Sequence, residues 1–223
     1  MGEEAEVREL LEMLGRVERY IRYLHTRASG DTYVAFGLAV AIGSIITALA
    51  DPISTAIGVP IGLLIGLTWM VVMSAAVAVS ARGHTRLVAF IMAHEPPEER
   101  ERRRAAWRRG YLITALGWIA CLSLWSFIGL WLLSGEPGPT WSLYLVFIGL
   151  GNLVIYLATG RGVRETLYVA LALLACSPVP LALACLAPWA AFAWAVLAVV
   201  ASYLWAGLRF YGKAEALLAG AEG

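Results

Sequence analysis

Residues 57–81, IGVPIGLLIGLTWMVVMSAAVAVSA, contain no charged side chain. A helix of that composition has no polar face to turn to water, whereas a bilayer core of about 30 Å is crossed by about 20 apolar helical residues. A helix also satisfies its backbone polar groups internally, as lipid demands. Five further charge-free stretches lie on either side, at 33–50, 111–133, 141–159, 166–183 and 188–208. The whole chain agrees with this reading: 60% of its 223 residues are hydrophobic and 15% charged, against about 25% charged in an ordinary soluble domain. The expected fold class is all-α, a polytopic membrane protein of about six transmembrane helices. It adds a cytoplasmic N-terminal amphipathic helix and a cytoplasmic helical hairpin.

The bases give the orientation, because short cytoplasmic flanks retain Arg and Lys. All seventeen lie before the first stretch, between the second and third, between the fourth and fifth, or after the sixth. The opposite turns hold only the acids Asp51 and Glu136. Both termini are therefore expected on the cytoplasmic side of the cell membrane, with membrane lipids as constant partners. Tyr33, Tyr111, Tyr168 and Tyr211 fall at the inner boundary and Trp131, Trp141 and Trp189 at the outer one, where interfacial aromatics belong. The acidic start, MGEEAEVRELLEML, lacks the basic and apolar regions of a cleaved signal. Sixteen arginines stand against one lysine, with no Gln and one Asn. Loss of thermolabile amides fits a thermophile, and a biased base composition would have the same effect.

Three regions divide the chain: an amphipathic helix over 1–30, the membrane domain over 31–210 with its hairpin at 82–110, and a short tail over 211–223. In the first, Val7, Leu10, Leu14, Val17, Ile21, Leu24 and Ala28 alternate in steps of three and four, the heptad pattern of a helix with one apolar seam. That seam is expected against the membrane or the protein's own cytoplasmic loop, or else in a coiled coil with a second chain. Ser29, Gly30 and Asp31 are read as its stop, with Asp31 free to cap the first span. In the hairpin, Pro96 and Pro97 end one helix and Pro97 opens the next. Glutamates then precede the run of arginines in PPEERERRRAAWRRG, as the helix dipole favours.

Leu14, Val17, Ile21, Leu24, Arg102, Arg103 and Trp107 are thus the candidate partner-binding residues, for a protein partner or for self-association. Nucleic acid is not an expected partner, since glutamates interleave with the arginines and the net charge is +1. Gly58, Gly62 and Gly66 recur every fourth residue, leaving a flat face for helix packing, within one molecule or between copies.

Catalytic and ligand motifs are scarce. An ion path through a membrane uses ionisable residues within the spans, and here Asn152 is the one strongly polar side chain well inside a span. It is expected to hydrogen-bond a neighbouring helix. His25, His84 and His94 lie outside the spans, so no haem is expected between them. Cys121, Cys176 and Cys185 form no CxxC; Cys176 and Cys185 flank an outer turn, where either a disulfide or two thiols would fit. Pro178 and Pro180 in SPVP are expected to kink the fifth span. No catalytic residue, metal or cofactor is assigned.

The reading is a non-enzymatic membrane protein, an accessory or structural subunit docking a partner through its cytoplasmic helices. The alternative starts from the order of parts: an amphipathic helix, six spans, both ends inside, and a helical hairpin after span two. That order resembles the compact permeases of ABC-2 type exporters. The resemblance implies a separate ATPase as partner, contacted by the second cytoplasmic segment. It also implies extra helical structure between spans five and six, a segment that is short here.

Overall fold

The computed structural model describes residues 2–94, 97–133, 136–158 and 163–219. They form eight α-helices: α1 (Gly2–Ala48), α2 (Ala50–Ile57), α3 (Ile61–His94), α4 (Pro97–Trp125), α5 (Pro137–Ala158), α6 (Arg164–Cys176), α7 (Val179–Ala184) and α8 (Pro188–Ala219). A π-helical segment, Ser126–Leu132, continues α4. No strand occurs among the described residues. Six helical stretches are long and apolar enough to cross a membrane, with α6 and α7 together making one of them. Large apolar side chains point outward along them, Met70, Val71, Leu116 and Leu208 among them, a surface that lipid covers without cost and water does not.

α1 does not stop at Ser29–Asp31. It is one helix of 47 residues, about 70 Å long at 1.5 Å per residue. The residues read as a stop are held helical by their neighbours. Ser29 Oγ donates to the His25 carbonyl at 3.0 Å and Thr32 Oγ1 to the Ala28 carbonyl at 2.9 Å. Gly30 lies against α8, where a Cβ would stand 2.9 Å from the Tyr211 ring. Asp31 accepts the Tyr211 hydroxyl at 2.8 Å rather than capping a new helix. Packing therefore uses the glycine for close approach and overrides its low helix propensity.

α1 packs along both α8 and α3. α8 in turn meets α5, α6 and α7, and α4 lies along α5. α3 and α4 follow one another in sequence yet pack at opposite sides of the bundle. In the expected hairpin at 82–110, α3 ends at His94 and α4 starts at Pro97, with Glu95 and Pro96 outside the described residues, and the two arms do not run along each other. Their partners are chosen by apolar contact: Trp69 of α3 covers Gly43 of α1, and Trp118 of α4 covers Gly151 of α5.

The glycine face is not a helix contact within this molecule. Gly58 closes α2 with φ 68°, a left-handed C-cap that glycine adopts without strain. Gly62 and Gly66 have open space beside them and no helix packed on them in this molecule. The glycines that bring helices together are others. On Gly207 of α8 a Cβ would stand 2.5 Å from Val34 Cγ2 and 3.3 Å from the Gly30 carbonyl of α1. Pro178 interrupts the fifth span as its missing N–H requires, so α6 ends at Cys176 and α7 starts at Val179.

Candidate functional site

Two features carry the molecule's polar chemistry: a hydrogen-bonded cluster inside the bundle and the helix ends that extend beyond it.

The cluster joins four helices. Asn152 of α5 is 1% exposed, and a buried amide must find partners or lose the free energy of desolvation. Its Nδ2 donates to the Ile148 carbonyl at 2.9 Å and to the Tyr203 hydroxyl of α8 at 3.0 Å. Its Oδ1 lies 3.3 Å from the Tyr33 hydroxyl of α1, which is also 2.9 Å from Thr166 Oγ1 of α6. An amide oxygen only accepts and Tyr33 has one proton. That one proton is shared: Tyr33 donates to Thr166 Oγ1 and, over the longer distance, to Asn152 Oδ1. The rings enclose the polar atoms: Tyr33 meets Tyr203 edge-on at 5.2 Å and stacks on Phe210 at 5.6 Å.

Next to Thr166, the buried Glu165 carboxylate receives Lys213 Nζ of α8 at 2.6 Å. Asp31 with Tyr211, and Thr32 with Ser80 at 2.8 Å, lie at the same level. Together they form a polar layer at the end of the bundle where the bases gather. At the other end, Trp125 Nε1 donates to the Thr140 carbonyl at 3.1 Å. Thr140 Oγ1 donates to the Gly129 carbonyl at 2.9 Å, so the π-helical turns of α4 are fastened to α5.

Of these residues only Asn152 stood out in the sequence. Its bonds to Tyr33 and Tyr203 are the interhelical bonds expected of it. Tyr33 reads as an interfacial aromatic until α6 and α8 are packed around it. Thr166, Tyr203 and the Glu165–Lys213 pair carry no local signal, because their partners are remote in sequence.

The candidate partner-binding residues separate. Antiparallel register places Ala28 against Gly83 and Tyr20 against Phe90, the rings 5.2 Å apart. Ile21 and Leu24 are accordingly half-buried and Ala28 buried. By the same register α3 ends at His94 opposite Val17. Beyond that point Leu14 is 64% exposed and Val17 42%. Arg102 is exposed on α4, about 90 residues away in sequence and on a helix not packed along α1. The side chains of Arg103 and Trp107 lie outside the described residues.

Among the described residues no three His, Cys, Asp or Glu side chains converge as metal ligands. Cys121, Cys176 and Cys185 are free thiols. The buried cluster can hold helices in register through neutral hydrogen bonds. The projecting ends offer charge and apolar surface to another molecule. Compared with protein-family models, curated proteins and solved structures, the chain has no match.

Proposed function

We propose that the protein is a non-enzymatic module of the cell membrane, with both termini cytoplasmic, that docks a protein partner through its cytoplasmic helix extensions. The observation that carries this reading is how far the helices run on. From Asp31, α1 continues 29 residues to Gly2, about 44 Å beyond the polar layer. α4 opens with seven consecutive charged residues, Glu98 to Arg104. A membrane anchor needs none of this, and a solvated helix of that length is stabilised only weakly by its i, i+4 pairs. The positive-inside pattern supports the sidedness.

Purification from native membranes in mild detergent, with mass spectrometry of stoichiometric companions, tests the reading. Charge reversal of the exposed pair Arg102→Glu and Arg104→Glu should release the partner; its retention at full stoichiometry would sink the docking role of α4.

The second reading, a permease of ABC-2 type working with a separate ATPase, rests on the order of parts alone: α7 completes the fifth span and three residues separate it from α8, where the resemblance implies extra helical structure. An ATPase among the companions, with hydrolysis altered by the Arg102 and Arg104 reversals, selects it. Membrane proteins without ATPase activity select the accessory role.

A further inference from the structure

We infer that the outward face shared by α6 and α8, at the base-rich end of the bundle, is a headgroup site for an anionic phospholipid, with Arg164 and Arg209 holding the phosphate. Only the membrane crossing of the six helices is required for this, not the docking role proposed above.

Two neighbouring helices build the face. α6 and α8 pack along each other, and Trp205 of α8 meets Tyr168 of α6 edge-on with the ring centroids 6.2 Å apart. Four residues from each ring, toward the base-rich end, stand Arg209 and Arg164, which helical spacing puts on the same side as the rings. The Arg209 guanidinium carbon lies 6.0 Å from the centre of the Trp205 ring, within cation–π reach. Tyr168 is 49% exposed and Trp205 44%, and both arginines are exposed.

The charge on this face is not compensated. Glu165, next to Arg164, is buried and taken by Lys213 at 2.6 Å. Asp31 receives the Tyr211 hydroxyl on the side of α1. Glu215 comes six residues after Arg209, which turns it away around α8. Among the described residues neither Arg164 nor Arg209 has a carboxylate within salt-bridge distance or a hydrogen-bond acceptor. Two guanidinium groups therefore stand at one level without an acid.

Depth selects what they hold. The arginines flank the Glu165–Lys213 pair of the polar layer, and the rings lie one turn deeper. Beyond the rings the two helices expose Leu171 and Leu197. A molecule that fills this face is anionic at the arginines and apolar past the rings, the order of parts in a phospholipid. A guanidinium offers paired N–H donors to phosphate oxygens. With no acid on the face, the ammonium group of a zwitterionic headgroup has nothing to meet, so a lipid of net negative charge is preferred. Arg82 and Arg86 of α3 make the comparison. They are exposed and one turn apart, near the same level, since a Cβ on Gly83 would stand 3.7 Å from Asp31, but no described aromatic ring lies under either guanidinium.

The test is native mass spectrometry of the full-length protein released from mild-detergent micelles that contain equal phosphatidylglycerol and phosphatidylcholine of matched chains. The unsubstituted protein should retain phosphatidylglycerol about tenfold in preference to phosphatidylcholine. Arg164→Gln with Arg209→Gln should abolish that preference and Trp205→Leu should weaken it several-fold, whereas Arg82→Gln with Arg86→Gln should leave it in place. The two arginine pairs remove equal charge from exposed positions near one depth. A general attraction of anionic lipid to the basic end, or a loss of fold, would lower both alike and overturn the site. Equal retention of the two lipids by the unsubstituted protein would overturn it as well, and complete displacement of phosphatidylglycerol by millimolar inorganic phosphate would replace the lipid by a free anion. Retention of a protein partner from native membranes is read separately, so the docking role stands or falls apart from this site.

Discussion

Asn152 has four polar contacts to make in a medium that supplies none, and the bundle provides the backbone of Ile148 and the hydroxyls of Tyr33 and Tyr203. Removing the amide takes the hydrogen bond from the buried Tyr203 hydroxyl and leaves Tyr33 with Thr166 alone, and an unsatisfied buried hydroxyl costs more than the bond itself contributes. Asn152→Leu should therefore destabilise the protein by about 1–3 kcal/mol, read as a lower midpoint in a denaturing-detergent titration. Ser44 is the opposite case. It is 4% exposed and its hydroxyl has no hydrogen-bond partner among the described residues, so Ser44→Ala removes a group that is desolvated without return. Its midpoint should be unchanged or higher. If both variants moved the midpoint alike, the polar cluster would have no special part in stability.

At the scale of elements, the spans were legible in the sequence because one criterion, an apolar run long enough for the bilayer, decides them. The details that tertiary contact decides were not. Ser29-Gly30-Asp31 reads as a helix stop, yet α8 presses Tyr211 against Gly30 and the helix continues. Gly58, Gly62 and Gly66 read as a packing face by spacing alone, and spacing does not say which side of α3 meets α1. The candidate site was legible to the extent that Asn152 and the heptad stand out locally. Tyr33, Thr166 and Tyr203 come from three helices, and nothing within any one of them marks it. Paired substitutions separate the two kinds of glycine. Gly207→Ala forces a Cβ against Val34, a stiff β-branched neighbour, and against the Gly30 carbonyl, with an expected loss of about 1–3 kcal/mol. Gly62→Ala meets nothing in this molecule and gains helix propensity, about 0.5–1 kcal/mol. A loss at Gly62 equal to that at Gly207, measured by the same titration, would mean that its open face is covered by another molecule in the membrane.

For the molecule as a whole, the bundle carries two different ends. One gathers Asp31, Glu165, Lys213 and Tyr211 into paired contacts and sends α1, α3 and α4 onward with nearly all the bases. The other is closed by short helices α2 and α7, has Asp51 and Glu136 as its acids, and carries Trp131 and Trp189 exposed. That asymmetry is what a chain inserted by the positive-inside rule acquires, since retained arginines need no translocation and can be arranged in long soluble extensions. Cys185 reports on it without any substitution. It is exposed after α7 at the base-poor end, whereas Cys121 and Cys176 are only partly exposed within the spans. A membrane-impermeant maleimide added to intact cells should label the native chain, and Cys185→Ala should remove most of the signal. With that background cleared, Arg16→Cys and Arg108→Cys should react only after the membrane is permeabilised. The reverse pattern, Cys185 silent until lysis and Arg16→Cys labelled from outside, would invert the molecule, and α1 would then meet its partner on the other side of the membrane.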